Sequence, residues 1–291
     1  MNAQKNPVEG AILKTLAYRS VFNYPLTIHQ LGTTLITITK IEYKALEKNL
    51  EKLEGQKLIK KKDGKYFLAA VKPLSWKLRT LQSKKTLKES DPVFSILKKI
   101  PWIKMLAVTG SVAAFNTDKK DDIDIFIIAS RNRMLITRFF VVLLLKAAGK
   151  YRVDKNPSQK ICPNIYIDES LLAWDKTKRN VYVAHEILMM RPIINKDEMY
   201  FRFIKANSWV FDFFANYKIE HYSLDNLKKK VKPSRIVNLL ERVLMRLQVS
   251  YMKRKRTEEV ATKTIIHFNK NDWTDKIIKE YRGMLKKYAN N

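Results

Sequence analysis

An apolar run that ends in glycine and serine, followed about ten residues later by acids alternating with isoleucine, narrows the folds open to this chain more than any other segment. Met105 to Val108 reads as a strand, Gly110-Ser111 as its exit, and Ser111 to Phe115 as the start of a short helix. Glycine lets a ligand approach the backbone closely, the serine hydroxyl adds a donor, and the first N–H groups of a helix carry the positive end of its dipole. Such an element suits phosphate oxygens. After a polar turn, Asp122 to Ile128 reads as a second strand. Side chains alternate along a strand, so Asp122 and Asp124 share one face while Ile123 and Ile125 enter the core on the other. Two carboxylates side by side on a greasy strand repel each other, and a hard cation relieves that repulsion. The candidate residues are therefore Asp122 and Asp124 as ligands of Mg²⁺ or Mn²⁺, with Gly110 and Ser111 as the seat of a nucleotide's phosphates. An Asp-x-Asp alone is common on solvated strand edges; the strand, Gly-Ser and helix before it give this pair its chemical meaning.

Charge constrains the partners. The 291 residues hold 57 Lys and Arg against 28 Asp and Glu, a formal +29. An excess of that size favours polyanions through counterion release and steering, so nucleic acid is the first partner expected. Lysine-rich genome composition is the bland alternative. Cys162 is the only cysteine, which excludes an intramolecular disulfide or a multi-cysteine zinc cluster and fits a reducing cytoplasm. The N-terminus carries no apolar signal-peptide core. The greasiest run, Phe139 to Leu145, is far short of the roughly 20 apolar residues a membrane helix needs, so it reads as a buried helix and no membrane partner is expected.

The N-terminal residues have a pattern of their own. Ile12, Leu13, Leu16 and Ala17 recur at helical spacing, and that helix stops before Asn23-Tyr24-Pro25. Thr27 can cap a second helix running to Leu35, and a third from about Thr39 carries Leu46, Leu50 and Leu53 on one face, with Lys44, Lys48 and Lys52 elsewhere. Asp63-Gly64 between Lys57–Lys62 and Lys65–Leu68 signals a hairpin. Three helices and a basic hairpin resemble a winged helix-turn-helix domain over residues 1–72. That resemblance implies a third helix reading a groove and a wing touching phosphates through Lys60, Lys61, Lys62 and Lys65. The segment has 13 basic and 6 acidic residues, an excess that supports DNA contact, although the winged fold also serves in protein docking. Residues 73–92 read as a connector ending at Ser90 or Asp91, either of which can cap a helix entered at Val93-Phe94.

Thr109-Gly110-Ser111 and Asp121-Asp122-Ile123-Asp124-Ile125 together resemble the signature of the nucleotidyltransferase superfamily to which DNA polymerase beta belongs. The resemblance implies an α/β (α+β) fold: a small mixed-sheet nucleotidyltransferase core over residues 93–175, flanked by the winged helix domain and by a helical, basic C-terminal region over 176–291. It also implies Mg²⁺, a nucleoside triphosphate such as ATP, and transfer of a nucleoside monophosphate to a hydroxyl of a nucleic acid or protein. The superfamily adds a third carboxylate on a later strand. The best later strand is Asn164–Asp168, where Asn164, Tyr166 and Asp168 share a face by period two, so Asp168 is the available acid for catalysis. The alternative is a non-catalytic DNA-binding regulator or toxin–antitoxin-type component that uses the same fold as a nucleotide sensor or docking platform. The order of parts, with Ala184–Pro192 and Ala206–Trp209 in the tail, is similar to prokaryotic proteins of this type.

Beyond Trp174 the chain reads as helices near 181–190, 199–217, 234–252 and 272–288. In the third of these Ile236, Leu239, Leu240, Val243 and Leu247 form an apolar stripe of the kind that enters a core or docks a helix. Lys253, Arg254, Lys255 and Arg256 extend the expected nucleic-acid track. His185-Glu186 begins like a zincin motif, but Met189 stands where the second histidine is needed, so no such site is assigned. Cys162 is expected to be an inert thiol. A protein partner or a homo-oligomer stays open.

Overall fold

The computed structural model describes residues 6–153, 157–219, 235–255, 260–261, 265–267 and 273–289. Helix α1 (Pro7–Ser20) starts where Asn6 accepts a hydrogen bond from Val8 N, with proline at the first helical position. Strand β1 (Leu26–Thr27) leads into α2 (Ile28–Thr33), whose N-terminus is fixed by a capping box between Thr27 and Gln30. Helix α3 (Tyr43–Gly55) buries Leu46, Leu50 and Leu53. Each of those leucines contributes roughly 1.5–3 kcal/mol on burial. Strands β2 (Ile59–Lys62) and β3 (Lys65–Leu68) then form the expected hairpin, with Asp63 and Gly64 both at positive φ in its turn. Strand β1 adds to β3, giving a three-stranded antiparallel sheet in the order β1-β3-β2.

The expected connector is instead part of one helix, α4 (Trp76–Leu97), which runs through Pro92. Ser90 is no cap: it lies inside the helix, and its hydroxyl donates to Thr86 O at 2.8 Å. Strand β4 (Ile103–Val108), helix α5 (Gly110–Ala113), strand β5 (Ile123–Ala129), helix α6 (Met134–Ala147) and strand β6 (Ile161–Asp168) follow. The rest comprises α7 (Val181–Met189), β7 (Arg191–Asn195), α8 (Met199–Ala206), α9 (Arg235–Lys255), β8 (Val260–Ala261), β9 (Ile265–His267) and α10 (Trp273–Ala289). The chain is thus a mixed α+β protein with two sheets. The larger has the order β7-β4-β5-β6-β9-β8; only β5 and β6 pair in parallel, joined by the α6 crossover.

Among the described residues, then, the C-terminal region is not purely helical: β7, β8 and β9 join the main sheet. Strand β7 hides in the sequence because Pro192 argues against a strand, and an edge position tolerates it.

Both faces of the larger sheet are covered, so β4 and β5 are apolar nearly throughout. On one side Leu106, Val108, Ile123, Ile125, Ile127 and Tyr166 pack with residues of α4 and α6. On the other, Met105, Ala107, Phe126, Ile128 and Ile167 share one apolar core with α1, α3, α7, α8 and α10. Two helical faces differ from expectation. Phe139 and Leu143 of α6 are about half exposed, as are Leu240 and Val243 of α9, with Ile236 and Leu239 still more open. Helix α9 meets the core through Leu244 and Met245 instead. No helix among the described residues is long and apolar enough to cross a membrane.

Candidate metal and phosphate site

The site forms where β5 begins beside the end of β4. Thr109 N donates to Asp124 O at 2.9 Å, which ties the end of β4 to β5 and sets Gly110 against the Asp124 side chain. Gly110 has φ +64°, and a Cβ there would stand 3.0 Å from Asp124 Oδ2. Glycine is therefore required twice, by the backbone conformation and by the carboxylate. Asp122 comes two residues earlier, just before β5 begins, and one donor atom from each of Asp122, Asp124 and Cys162 falls within 4.8 Å of the others. The structure thus brings Asp122 and Asp124 together and sets Asp124 against Gly110.

Electrostatics make the pair costly when bare. Burial, with the charge of Asp122 added, pushes Asp124 up from 3.8 to about 7. Burial raises Asp122 as well, against the pull of Arg152, whose guanidinium lies 3.0 Å from Asp122 Oδ2. That ion pair leaves Asp122 Oδ2 buried without a hydrogen bond. On Asp124, Oδ1 accepts from Asn164 Nδ2 at 3.4 Å. The Cys162 thiol is pushed up to about 12 by burial and by Asp124, so it stays protonated at neutral pH, as an inert thiol should.

The phosphate seat is more occupied than the sequence implied. Ser111 Oγ lies 3.2 Å from both Thr117 Oγ1 and Asp121 Oδ2, and Asp121 Oδ2 also accepts from Asp118 N at 2.8 Å. Ser111 thus holds the 111–121 loop closed in this state. Glu186 on α7, partly buried, is raised to about 7 by desolvation against a pull from the Gly110 backbone N–H. Glu186 is the residue that sequence reasoning missed. Its pairing with His185 suggested only a broken zinc motif, and no local pattern announces a contact across 76 positions to Gly110. Its neighbour His185 accepts a hydrogen bond from the buried Arg19 of α1 at 3.0 Å.

Asp168 does not join the pair. It lies opposite Ala129, at the other end of β5 from Asp124, whose neighbour on β6 is Cys162. Its carboxylate accepts from Asn132 N at 2.6 Å and from Ser170 N and Oγ at 2.9 and 2.6 Å, which fixes two turns. Five residues along β5, roughly 16 Å at about 3.3 Å each, separate the two positions, and a register shift in β6, where Ile125 pairs with Pro163 but Phe126 with Ile165, changes the face as well. A bulge at Asn164 breaks the period-two count, so Asn164 reaches Asp124 while Tyr166 packs on the α6 side of the sheet.

The basic residues divide. Lys60, Lys61 and Lys62 are exposed on β2, with Lys61 Nζ 5.2 Å from the Tyr66 ring centre. Lys65 turns inward instead: its Nζ donates to Pro25 O at 3.3 Å and sits 4.6 Å from the Tyr24 ring centre, so the hairpin does not present it as a phosphate contact. Helix α3 carries three lysines and three glutamates, a balanced rather than basic surface. Lys253, Arg254 and Lys255 end α9, and Arg256 lies outside the described residues. No protein-family model, curated protein or solved structure matches the chain.

Proposed function

We propose that this chain is a divalent-cation-dependent nucleotidyltransferase that moves a nucleoside monophosphate from a triphosphate to a hydroxyl of a nucleic acid or protein. The observation that carries the reading is the packing of the Asp124 carboxylate against Gly110, with Asp122 beside it on an otherwise apolar strand. It is the arrangement that the resemblance to the polymerase beta superfamily implies. The donor set fits a hard ion: two carboxylate oxygens, one of them buried without a hydrogen bond, beside a thiol that stays neutral. Asp122 and Asp124 would hold Mg²⁺ or Mn²⁺, which supplies neutralisation of phosphate charge. Gly110 keeps side-chain bulk away from the triphosphate. Arg152, already at the pair, is a guanidinium suited to bridging phosphate oxygens. In the transfer the acceptor oxygen bonds to the α-phosphorus, the bond from that phosphorus to the bridging oxygen breaks, and pyrophosphate leaves. Asn164 stands where the superfamily would put an acid, so the hydroxyl proton passes to solvent water.

Helices α1 to α3 with the β1-β3-β2 sheet support the winged helix reading of the N-terminal region. Lys60, Lys61 and Lys62 on its hairpin would then meet a phosphate backbone. The test is incubation with each α-labelled triphosphate, Mg²⁺ and total cellular RNA or protein. Label transfer by the wild type, lost in Asp122→Asn with Asp124→Asn, is expected. Mg²⁺ and nucleotide binding with no transfer to any acceptor would overturn the catalytic reading. Asn164 and the remote Asp168 favour one second reading, a regulator that binds DNA and senses nucleotide without transferring it. Sequence-selective DNA binding that survives loss of both aspartates would support it.

A further inference from the structure

We infer that Arg152 stands in for the cation: it holds Asp122 in the cation-free protein and passes to the triphosphate when Asp122 takes a metal ion, which makes cation and nucleotide binding cooperative. The inference rests on the reading of Asp122 and Asp124 as metal ligands. Backbone bonds fix where Arg152 starts from. Ile161 N donates to Lys150 O at 2.7 Å and Arg152 N donates to Ile161 O at 3.0 Å, which lays residues 150–152 beside the first residue of β6. The next residue, Cys162, is the register partner of Asp124. From there the guanidinium reaches the acids: its Nη1 lies 3.0 Å from Asp122 Oδ2 and donates to Cys162 Sγ at 3.5 Å. One nitrogen thus touches two of the three side chains that converge at the site.

The contact neutralises charge without satisfying donors. Despite the 3.0 Å approach, Asp122 Oδ2 is buried without a hydrogen bond, and so is Arg152 Nε. An arginine that anchors a carboxylate firmly presents two parallel N–H groups to it, and this pair lacks that fork. The guanidinium spreads one positive charge over a planar group, whereas a divalent ion brings two charges to a point, so two adjacent carboxylates favour the ion. Arg152 and a metal ion cannot both rest against Asp122 Oδ2, because like charges a few ångströms apart repel. The Arg152 side chain is 40% exposed against 20% for Asp122, which puts it on the open side of the pair. Released from Asp122, its planar fork of N–H donors suits phosphate oxygens.

The experiment uses the full chain and Mn²⁺ uptake read by electron paramagnetic resonance, with and without a non-hydrolysable ATP analogue. Without nucleotide, Arg152→Gln should bind Mn²⁺ about tenfold more tightly than the wild type, since a neighbouring opposite charge shifts what an aspartate binds by at least that factor. The same variant should lose most of the enhancement that the nucleotide gives the wild type. Lys120→Gln removes an exposed charge from the adjoining loop and should change Mn²⁺ affinity by no more than about twofold, as a screened charge does. A second measurement does not depend on Arg152→Gln folding: in protein labelled with ¹⁵N-arginine, the Nε–H resonance that Arg152→Lys removes should move when Mg²⁺ alone is added. Equal nucleotide-free affinity in Arg152→Gln and wild type, an equal gain in Lys120→Gln, or a resonance that Mg²⁺ leaves in place while Mn²⁺ binds each overturn the inference and leave the metal site standing. Failure of every protein to take up Mn²⁺ overturns the metal site itself and the inference with it.

Discussion

Replacing Asp124 by asparagine removes the charge that burial opposes most at the candidate site, and the consequence is a change in how stability depends on pH. Burial and the charge of Asp122 lift this carboxyl from 3.8 to about 7. The unfolded chain releases the proton near pH 4 while the folded protein keeps it until about pH 7, so the folded state holds more protons across that window and stability falls as pH rises through it. A shift of about three units, at 1.36 kcal/mol each, sets a ceiling of about 4 kcal/mol. Asparagine is a neutral near-isostere that does not titrate. From about pH 4 to about pH 8 the variant should therefore gain on the wild type by up to that amount, whatever the fixed cost of the substitution. Asp122 and Glu186 are also raised by burial, so part of the slope persists in the variant. Urea unfolding across the pH series with a chelator present measures the difference, and saturating Mg²⁺ at the alkaline end should restore the wild type alone. A gap that stays constant with pH, or widens in the wild type's favour, refutes the reasoning.

Gly110→Ala should cost at least about 1–2 kcal/mol from its left-handed backbone, and the added methyl should weaken Mn²⁺ binding by displacing Asp124, as read by titration calorimetry. Glu186→Ala removes the acceptor that faces the Gly110 N–H, a loss of about 0.5–1.5 kcal/mol in thermal or urea unfolding. Glu186→Gln keeps an acceptor and should recover most of that loss. For nucleic-acid binding, Lys60→Gln with Lys62→Gln should reduce the slope of log affinity against log salt by about 1.8 on duplex DNA. Lys65→Gln should leave that slope unchanged, because its ammonium is engaged by Pro25 O and the Tyr24 ring.

What could be read from the residues in order was whatever local geometry decides. The Asp63-Gly64 turn, the Thr27 cap and the spacing that brings Asp122 and Asp124 together at the start of β5 each need only a few neighbouring residues to specify them. Elements that depend on distant packing were not legible. Helix α4 continues through Pro92 although proline predicts a break, and β7 survives Pro192 because an edge strand can forgo that hydrogen bond. The bulge at Asn164 turned Tyr166 to the α6 side of the sheet, and period counting has no means of seeing an inserted residue. Glu186 became visible only when α7 folded against the end of β4. The apolar stripe of α9 looked like core, yet the helix packs through Leu244 and Met245 and turns the stripe to water.

The account stands most directly on whether one cation is held by both aspartates and shared with a nucleotide. Mn²⁺ binding followed by electron paramagnetic resonance, with and without a non-hydrolysable triphosphate, measures this in one experiment. The wild type should take up Mn²⁺ more tightly once the nucleotide is present, and Asp122→Asn with Asp124→Asn should lose both the binding and the enhancement. Equal Mn²⁺ uptake by the double variant, or an affinity that the nucleotide does not change, would contradict it.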